Sequence, residues 1–343
     1  MKIVYSDKHA GHDPQTFIVR GVKQRSAEQP ERATRLLTAA TGAGHAILPP
    51  RAFGPGPAAS VHTPEYIDFL QTAAREWAKL PGASDEVVPN MHPARAHASY
   101  PKALAGRAGW HQADMACPIG PRTWDAALAS SEVAVTAAEF VIEGAREVYA
   151  LCRPPGHHAY ADMAGGFCFL NNTAIAAQRL RGTHARVAVL DVDVHHGNGT
   201  QAIFYERDDV LTISMHADPA HYYPYFWGNA SELGAGKGQG FNLNLPLALG
   251  SSDEPWLKAG DTALARIKAF VPTALVVALG LDASESDPLQ GLKVSGAGFH
   301  AMARKIASLG LPTVLVQEGG YLSDDLGRNL VQFLAGFEKG RAN

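Results

Sequence analysis

Residues 187–200 read Val-Ala-Val-Leu-Asp-Val-Asp-Val-His-His-Gly-Asn-Gly-Thr, an apolar run that changes abruptly into acids, histidines and glycines. The β-branched beginning is typical of a strand buried on both faces of a parallel sheet. Asp193 and His195 are two positions apart, so an extended chain directs both side chains to the same face. A carboxylate and an imidazole are two of the three protein ligands of a catalytic zinc ion. A strand end that caps a helix and binds water would have a similar sequence, so the pair alone leaves both interpretations open.

Strand-like apolar runs alternate with helical patterns along the rest of the chain. Further strands are predicted at 2–5, 147–152, 210–215, 273–279 and 313–317. Helices are predicted at 33–40, 64–74, 124–143, 172–180, 253–270 and 299–309, followed by a last helix, whereas 6–29 is predicted to be loop. This alternation predicts the α/β fold class: one domain over 1–343, with a mostly parallel sheet flanked by helices on both faces.

The composition indicates the broad class of protein. The 343 residues are 46% hydrophobic and 18% charged, with a formal net charge of −3, as in a globular protein with a large core. This charge would not attract nucleic acid or an anionic membrane, and we find no signal-peptide pattern or membrane-length apolar run. The three cysteines Cys117, Cys152 and Cys168 lack paired spacing and are expected to be thiols. We therefore predict a cytoplasmic protein with no nucleic-acid or membrane partner.

Polar residues follow four of the predicted strands. They are His157 and His158, Asp193 and His195, Asp282, and Tyr321. Each could instead have an ordinary role in a turn, a helix cap or a packed aromatic cluster. Ligands of open parallel sheets bind beyond the carboxyl ends of the strands, however, and these four groups all fall there. The sequence therefore predicts one shared site.

The residue types in this site predict its chemistry. Two carboxylates and one imidazole, from Asp193, Asp282 and His195, would leave a divalent ion little net charge and an open position for water. Zn²⁺ fits this set, and Fe²⁺ or Co²⁺ fits it as well. A neighbouring histidine could act as general base and then protonate the leaving amine, while the Tyr321 phenol stabilises the oxyanion. The predicted reaction is metal-assisted hydrolysis of an amide or ester.

Five motifs, in order along nearly the whole chain, resemble the histone deacetylase superfamily. They are Arg-Pro-Pro-Gly-His-His at 153–158, Gly-Gly-Phe-Cys-Phe-Leu-Asn-Asn at 165–172, the run at 191–200, the segment around Asp282, and Glu-Gly-Gly-Tyr at 318–321. In detail they are most similar to the bacterial acetylpolyamine amidohydrolase branch. The resemblance implies the arginase–deacetylase α/β fold and a Zn²⁺-dependent deacetylase.

The resemblance also implies roles for individual residues. The metal ligands would be Asp193, His195 and Asp282. His158 would be the general base, His157 an electrostatic partner or acid, and Tyr321 the residue that polarises the carbonyl. Asp191 would orient His157. Asn198 stands where some family members have an aspartate as partner of the second histidine, and a neutral partner should raise the basicity of that histidine less.

Two further features are implied by the resemblance alone. A structural K⁺ would be bound by Asp191, by the backbone carbonyls of Asp193 and His195, and by Ser214 and Met215. A narrow substrate tunnel would be walled by Gly166, Phe167 and Tyr223, although Tyr223 lies in an aromatic cluster where packing is an alternative role.

Residues 80–121 lack clear periodicity and are predicted to be a long loop insertion. They correspond to the loop that in the polyamine branch helps to form a homodimer and narrows the active-site mouth. That branch holds secondary amines with acidic residues, whereas residues 87–113 carry only the positive charges of Arg95, Lys102 and Arg107. The acids that could substitute are Asp85, Glu86, Asp114 and Asp218.

The leading hypothesis is a zinc amidohydrolase that acts on small linear acylated amines such as acetylpolyamines. An acetyl-lysine deacetylase would require an open mouth, and an amidase for another small amide also remains open. A catalytically inactive module that binds acetylated ligands would not need all of these site residues. An arginase-type enzyme would need a second full set of metal-binding carboxylates, and the sequence does not contain one.

Overall fold

The computed structural model describes residues 1–94 and 97–342. Its strands are β1 (Lys2–Val4), β2 (Phe17–Val19), β3 (Val22–Gln24), β4 (Ala46–Leu48), β5 (Glu147–Ala150), β6 (Val187–Asp191), β7 (Val210–Ala217), β8 (Asn242–Leu247), β9 (Ala274–Leu279) and β10 (Thr313–Gln317). Its helices are α1 (Glu31–Gly42), α2 (Pro64–Trp77), α3 (Leu104–His111), α4 (Thr123–Ile142), α5 (Asn172–Arg181), α6 (Asn198–Phe204), α7 (Asp253–Phe270), α8 (Gly296–Ala307) and α9 (Leu326–Arg341). None of the described helices is both long enough and apolar enough to cross a membrane.

Eight strands form a single sheet in the order β4-β1-β5-β10-β9-β6-β7-β8, and every neighbouring pair is parallel. β2 and β3 form a separate antiparallel hairpin. The central strands are buried on both faces, which explains why they read as continuous apolar runs. The single-domain α/β fold with a mostly parallel sheet is thereby confirmed.

Helices cover both faces of the sheet because alternate strand residues point in opposite directions. In β6, Val187 and Val189 pack with α4, α5 and α6 in one hydrophobic core. Ala188 and Leu190 of the same strand pack in a second core with α1, α7, α8 and α9. α2 and α3 form a smaller third core with parts of α4 and α5. The sheet is therefore the middle layer of three. Helices cover its two faces, so a site can form at the ends of its strands.

Several elements were not predicted from the sequence. β4 and β8 lie at the two edges of the sheet, and β4 has only three residues, so pairing stabilises it more than its local pattern does. The hairpin of β2 and β3 falls within 6–29, which was predicted to be loop. The short helix α6, which begins at Asn198 directly after Gly197, was not predicted either.

The segment 80–121 contains structure that its sequence did not reveal. α3 occupies its second half, and Val87 pairs with Ile119 in an isolated antiparallel bridge. A Cβ at Gly109 of α3 would lie 1.9 Å from the backbone oxygen of Met91, so glycine permits this close packing while weakening the helical pattern. Arg95, one of the basic residues noted in the sequence, lies outside the described residues.

Candidate active site

The three candidate metal ligands converge from the loops that follow β6 and β9. His195 Nδ1 lies 3.0 Å from Asp193 Oδ1 and 3.2 Å from Asp282 Oδ2. All three side chains are buried, and their ligand atoms lie within 4.8 Å of one another. The structure thus brings two carboxylates and one imidazole to a common point, but Asp193 and His195 lie in a bent loop after β6 and not in the extended chain that the sequence predicted.

The surroundings of these atoms fit a bound divalent metal ion. Asp282 Oδ2 is buried and has no hydrogen-bond partner among the described residues, although His195 Nδ1 is near. Burial and the negative charge of Asp193 both raise the pKa of Asp282. A Cβ at Gly319 would lie 2.0 Å from Asp282 Oδ2, so only glycine leaves room for the carboxylates here. A buried carboxylate oxygen without a hydrogen bond, in a set of two oxygen ligands and one nitrogen ligand, suits Zn²⁺ or a similar transition metal.

Backbone amides hold the two carboxylates in place. Asp193 accepts hydrogen bonds from the N–H of Gly319 at 2.7 Å and of His195 at 2.9 Å. Asp282 Oδ1 accepts one from the N–H of Val194 at 3.0 Å. Val194 and His195 belong to the loop that carries Asp193, and Gly319 belongs to the loop after β10, so the orientation of the carboxylates follows from the backbone fold. The glycines after β10 therefore contribute to the site itself.

His157 and His158 lie side by side but have chemically different partners. Their ring centroids are 4.0 Å apart. His157 Nδ1 lies 2.9 Å from Asp191 Oδ2, whereas His158 Nδ1 lies 2.7 Å from Asn198 Oδ1. Burial alone would lower the pKa of His157, but the carboxylates of Asp193 and Asp191 outweigh it and raise this pKa to about 10. Burial and the nearby histidines His157 and His195 lower the pKa of His158 well below its usual value.

Asn198 determines which nitrogen of His158 carries the proton. Its Nδ2 donates to Tyr160 Oη at 2.9 Å, so its Oδ1 faces His158 and can only accept. The Nδ1 of a neutral His158 must therefore carry the hydrogen, and its Nε2 is left as an acceptor. A neutral imidazole with a bare Nε2 has the form that a general base requires.

Glu318 is a buried acid of the site to which the sequence analysis assigned no role. Its Oε2 accepts hydrogen bonds from the N–H of Gly156 at 2.6 Å and of His157 at 3.0 Å, and its Oε1 accepts one from Thr173 Oγ1 at 2.6 Å. Burial raises its pKa to about 7. Glu318 thereby links the end of β10 to the loop that carries both histidines. The sequence signal that could have identified Glu318 is its position between a buried strand and two glycines.

Tyr321 is buried, and its position is determined by contacts on several sides. Its backbone N–H donates to Asp287 Oδ2 at 2.8 Å, and the guanidinium of Arg32 lies 4.6 Å from its ring centroid. Its ring also meets that of Phe167, with 5.7 Å between the centroids. Gly320 before it has φ +113°, a conformation that favours glycine. Asp287 was not identified from the sequence, since nothing local distinguishes it from an acid that caps a turn.

The three predicted tunnel residues lie around these groups. The ring of Tyr223 stands edge-on to His158, with centroids 5.0 Å apart and an interplanar angle of 88°. A Cβ at Gly166, where φ is +50°, would lie 2.4 Å from His158 Cδ2. Phe167 packs between Tyr321 and Phe17. The neighbouring Tyr222, not predicted here, stacks on His195 at 5.1 Å.

Of the four acids considered for the mouth, Asp114 is the one that contacts the tunnel residues. Its Oδ2 accepts hydrogen bonds from Tyr223 Oη at 2.7 Å and from the N–H of Gly166 at 3.1 Å. Glu86 is buried elsewhere and accepts a hydrogen bond from the N–H of Gln15. Asp85 is exposed, and Asp218 accepts from the N–H of Ala220 in its own loop.

The residues expected at a potassium site lie behind the histidine pair. Asp191 and Ser214 are opposite each other in the paired strands β6 and β7, and both line a cavity of about 10 Å³. Ser214 Oγ lies 2.9 Å from His216 Nδ1. The side chain of Met215 points into the hydrophobic core, so only its backbone could serve an ion.

Comparison with known proteins identifies the family. The model of the histone deacetylase domain matches residues 26–337. The chain is 47% identical over 330 residues to the acetylpolyamine amidohydrolase of Burkholderia pseudomallei, with 95% of each chain covered. It is 45% identical over 343 residues to acetylpolyamine amidohydrolase 1 of Pseudomonas aeruginosa, covering 98% of this chain and 99% of that one. A crystal structure of acetylpolyamine aminohydrolase from Burkholderia pseudomallei matches with a TM-score of 0.96 and 46% identity, covering 98% of both chains.

The chain belongs to the histone deacetylase family. The resemblance inferred from the five motifs is confirmed, as is the arginase–deacetylase type of fold. Membership of this family makes the chain a hydrolase of the deacetylase and amidohydrolase class.

Proposed function

We propose that the protein is a zinc-dependent amidohydrolase that hydrolyses the amide of small linear acylated amines, acetylpolyamines among them. The observation that carries this proposal is the buried cluster of Asp193, His195 and Asp282, in which Asp282 Oδ2 has no hydrogen-bond partner among the described residues. The names of two similar bacterial proteins, both acetylpolyamine amidohydrolases, support the same substrate class.

Each polar group around this point has a role in the proposed reaction. A zinc ion held by Asp193, His195 and Asp282 would supply a Lewis acid and an acidified water. His158, with its bare Nε2, takes a proton from the attacking water and is the general base. His157, held by Asp191, stabilises negative charge and supplies a proton to the leaving amine. The Tyr321 phenol donates a hydrogen bond to the oxyanion that develops from the carbonyl.

Asp114 supports a cationic substrate. Its carboxylate contacts Gly166 and Tyr223, and Gly166 in turn packs against His158. The negative charge therefore lies beside the predicted tunnel residues. A short alkyl chain with an ammonium group at its far end would satisfy both the narrow aromatic walls and this charge. Asp114 thus compensates for the basic residues that precede it in the same segment.

Two assembly features are part of the proposal. Asp191 and Ser214, with the carbonyls of Asp193, His195 and Met215, would hold a structural K⁺ that braces the loop after β6. Two copies of the chain would meet through 80–121, where the described residues include four exposed large hydrophobic side chains: Leu80, Met91, Tyr100 and Met115. Sedimentation equilibrium tests this contact, because M91K should convert a dimer into a monomer if the segment forms the interface.

The proposed function is tested by comparing substrates on the zinc-loaded enzyme. Steady-state hydrolysis of N-acetylputrescine is measured beside that of an acetyl-lysine peptide of matched acyl group. We expect a clear preference in kcat/KM for the small amine, because the aromatic walls and the segment 80–121 restrict the mouth. Equal or faster turnover of the peptide would favour the acetyl-lysine deacetylase, and turnover of neutral amides alone would favour a different small-amide amidase.

A further inference from the structure

Asp287 is a buried acid to which the reaction proposed above assigns no role. It lies on the loop between β9 and α8, the same loop that carries the candidate metal ligand Asp282. Only 2% of its surface is exposed. Both of its carboxylate oxygens accept hydrogen bonds from backbone N–H groups. A buried carboxylate bonded in this way restrains the backbone on both sides of it.

One carboxylate oxygen of Asp287 restrains the peptide group that joins Gly320 to Tyr321. Asp287 Oδ2 accepts a hydrogen bond from Tyr321 N–H at 2.8 Å. On the opposite side of the same peptide group, Arg32 Nε donates to the carbonyl oxygen of Gly320 at 2.5 Å. One hydrogen bond alone would let the peptide plane rotate about it, particularly after a glycine, whose backbone has few steric restrictions. The two bonds together set the direction in which the Tyr321 side chain leaves the backbone.

The other carboxylate oxygen connects Asp287 to the surroundings of His195. Asp287 Oδ1 accepts a hydrogen bond from Leu289 N–H at 2.9 Å. The backbone oxygen of Leu289 in turn accepts one from Tyr222 Oη at 2.8 Å. The ring of Tyr222 stacks on that of His195, with 20° between the ring planes. The segment around Asp287 is therefore held against a candidate metal ligand on one side and against the backbone of Tyr321 on the other.

This arrangement places two requirements of the proposed reaction on one loop. Asp282 would bind the metal ion, and Asp287 of the same loop holds the backbone of Tyr321. The metal ion and the Tyr321 phenol act on the same substrate carbonyl, so the distance between them has to be kept. A misplacement of about 1 Å in a catalytic group can lower the rate by about 100-fold.

We propose that Asp287 is a positioning residue, which holds the Tyr321 phenol at the distance from the metal ligands that the reaction requires. This inference rests on the proposed function, because it concerns the role that Tyr321 has there. Asp287 acts through Tyr321, whose hydrogen bond to the oxyanion forms in the transition state. Loss of the Asp287 carboxylate should therefore lower kcat and leave KM and metal content unchanged.

The test is a double-mutant cycle of D287N and Y321F in the zinc-loaded enzyme, with N-acetylputrescine as substrate. Asparagine keeps the size of the side chain but has one acceptor oxygen in place of two. We expect D287N to lower kcat by about 10- to 100-fold, with KM and zinc content as in the wild type. In the Y321F background D287N should lower kcat by less than about twofold, because the group that Asp287 positions is already lost. An equal decrease in both backgrounds, loss of zinc in D287N, or a wild-type kcat in D287N would overturn the proposal.

D253N is the matched control for the loss of an acid that holds backbone. Asp253 accepts a hydrogen bond from Ser295 N–H, also at 2.8 Å, and the hydrogen bonds of its carboxylate within the described residues all come from Ser295. D253N should keep the wild-type kcat. If D287N does not fold, D287S enters the same cycle with the same expectations, because its hydroxyl is too short to reach the Tyr321 amide.

Hydrogen exchange at the Tyr321 amide gives a readout that does not depend on turnover. We expect this amide to exchange about tenfold faster in D287N than in the wild type, the factor that corresponds to one buried hydrogen bond. D253N should match the wild type, and an unchanged rate in D287N would overturn the proposal. If the wild type hydrolyses neither N-acetylputrescine nor an acetyl-lysine peptide, the proposed function is wrong, and the exchange rate then decides whether Asp287 holds Tyr321.

Discussion

The loop 192–197 and the segment 80–121 both contribute to the candidate active site, but they are built in opposite ways. The loop is buried throughout, and the backbone N–H groups of Asp193, Val194 and His195 all donate to buried carboxylates at 2.9 to 3.1 Å. The segment exposes Met91 and Tyr100 and reaches the site mainly through Asp114. In the proposed mechanism the reacting groups therefore occupy backbone that many contacts determine, whereas selectivity depends on a surface that few contacts determine. Changes in the loop should therefore abolish chemistry, and changes in the segment should alter preference.

Asp193→Ala should have the largest effect. It removes a proposed metal ligand and also the acceptor for the N–H of Gly319, so metal content and hydrolysis should be lost together. We expect activity to fall by more than the factor of about 10²–10³ that follows loss of one oxyanion donor. Metal analysis and steady-state kinetics measure both quantities. D85A, an exposed acid of the segment, is the control, and a fully metallated Asp193→Ala variant would remove Asp193 from the ligand set.

Tyr321→Phe should separate chemistry from metal binding in the same buried region. Loss of one donor to the oxyanion predicts a fall in kcat of about 10²–10³-fold with metal content unchanged. The control Y225F removes an exposed phenol that does not contact the reacting groups. An unchanged kcat in Tyr321→Phe would show that the phenol does not take part in the rate-limiting step.

The free energy of unfolding should depend on pH through the buried residue His62. Its Nδ1–H donates to the backbone oxygen of Tyr160 at 3.0 Å, and its Nε2 accepts from the N–H of Asn171 at 2.9 Å. The neutral ring therefore satisfies both of these backbone groups. Burial lowers the pKa of His62 from 6.5 to about 4. Below pH 6.5 the unfolded chain therefore binds a proton that the folded chain does not.

This linkage predicts the sign and the size of the effect. The free energy of unfolding should be insensitive to this group above pH 6.5 and should fall by about 3 kcal/mol as the pH decreases from 6.5 to 4. Urea unfolding of the wild type and of H62Q across this range measures it, and H62Q should show a shallower decline. H92Q, which changes an exposed histidine of the segment, should follow the wild type. Parallel curves for the wild type and H62Q would contradict the assignment.

Asp114→Asn should produce the smallest effect, a change in the preference for a charged over an uncharged substrate. The carboxylate is partly exposed, so removing its charge should lower kcat/KM for N-acetylputrescine by about tenfold. The uncharged N-pentylacetamide, of similar length, should be hydrolysed at the wild-type rate. D68N, which removes another acid that faces the segment through Arg107, serves as the control. An equal loss for both substrates would mean that Asp114 acts only by holding Tyr223 and Gly166.

Much of the fold could be predicted because strong patterns and strong tertiary contacts agree. β10 occupies 313–317 as predicted, and α7 occupies 253–270. β4, β8 and α3 could not be predicted, because short edge strands and a glycine-containing helix are stabilised by their neighbours rather than by their own sequence. Within the site, Glu318 and Asp287 escaped notice for a similar reason: each acts on the backbone of a residue distant in sequence.

The sequence by itself determined that Asp193 and His195 directly follow the buried strand β6, although the chain bends there and is not extended as the pattern predicted. It also determined that the polar groups follow the strands β5, β6, β9 and β10, and hence that they lie at the carboxyl ends of these strands. Only the tertiary structure decided that Asp282 Oδ2 has no partner among the described residues, that Asn198 orients His158, and that Asp114 is the acid at the tunnel. Those facts depend on the approach of separate loops to within hydrogen-bond distance, and local periodicity does not encode such distances.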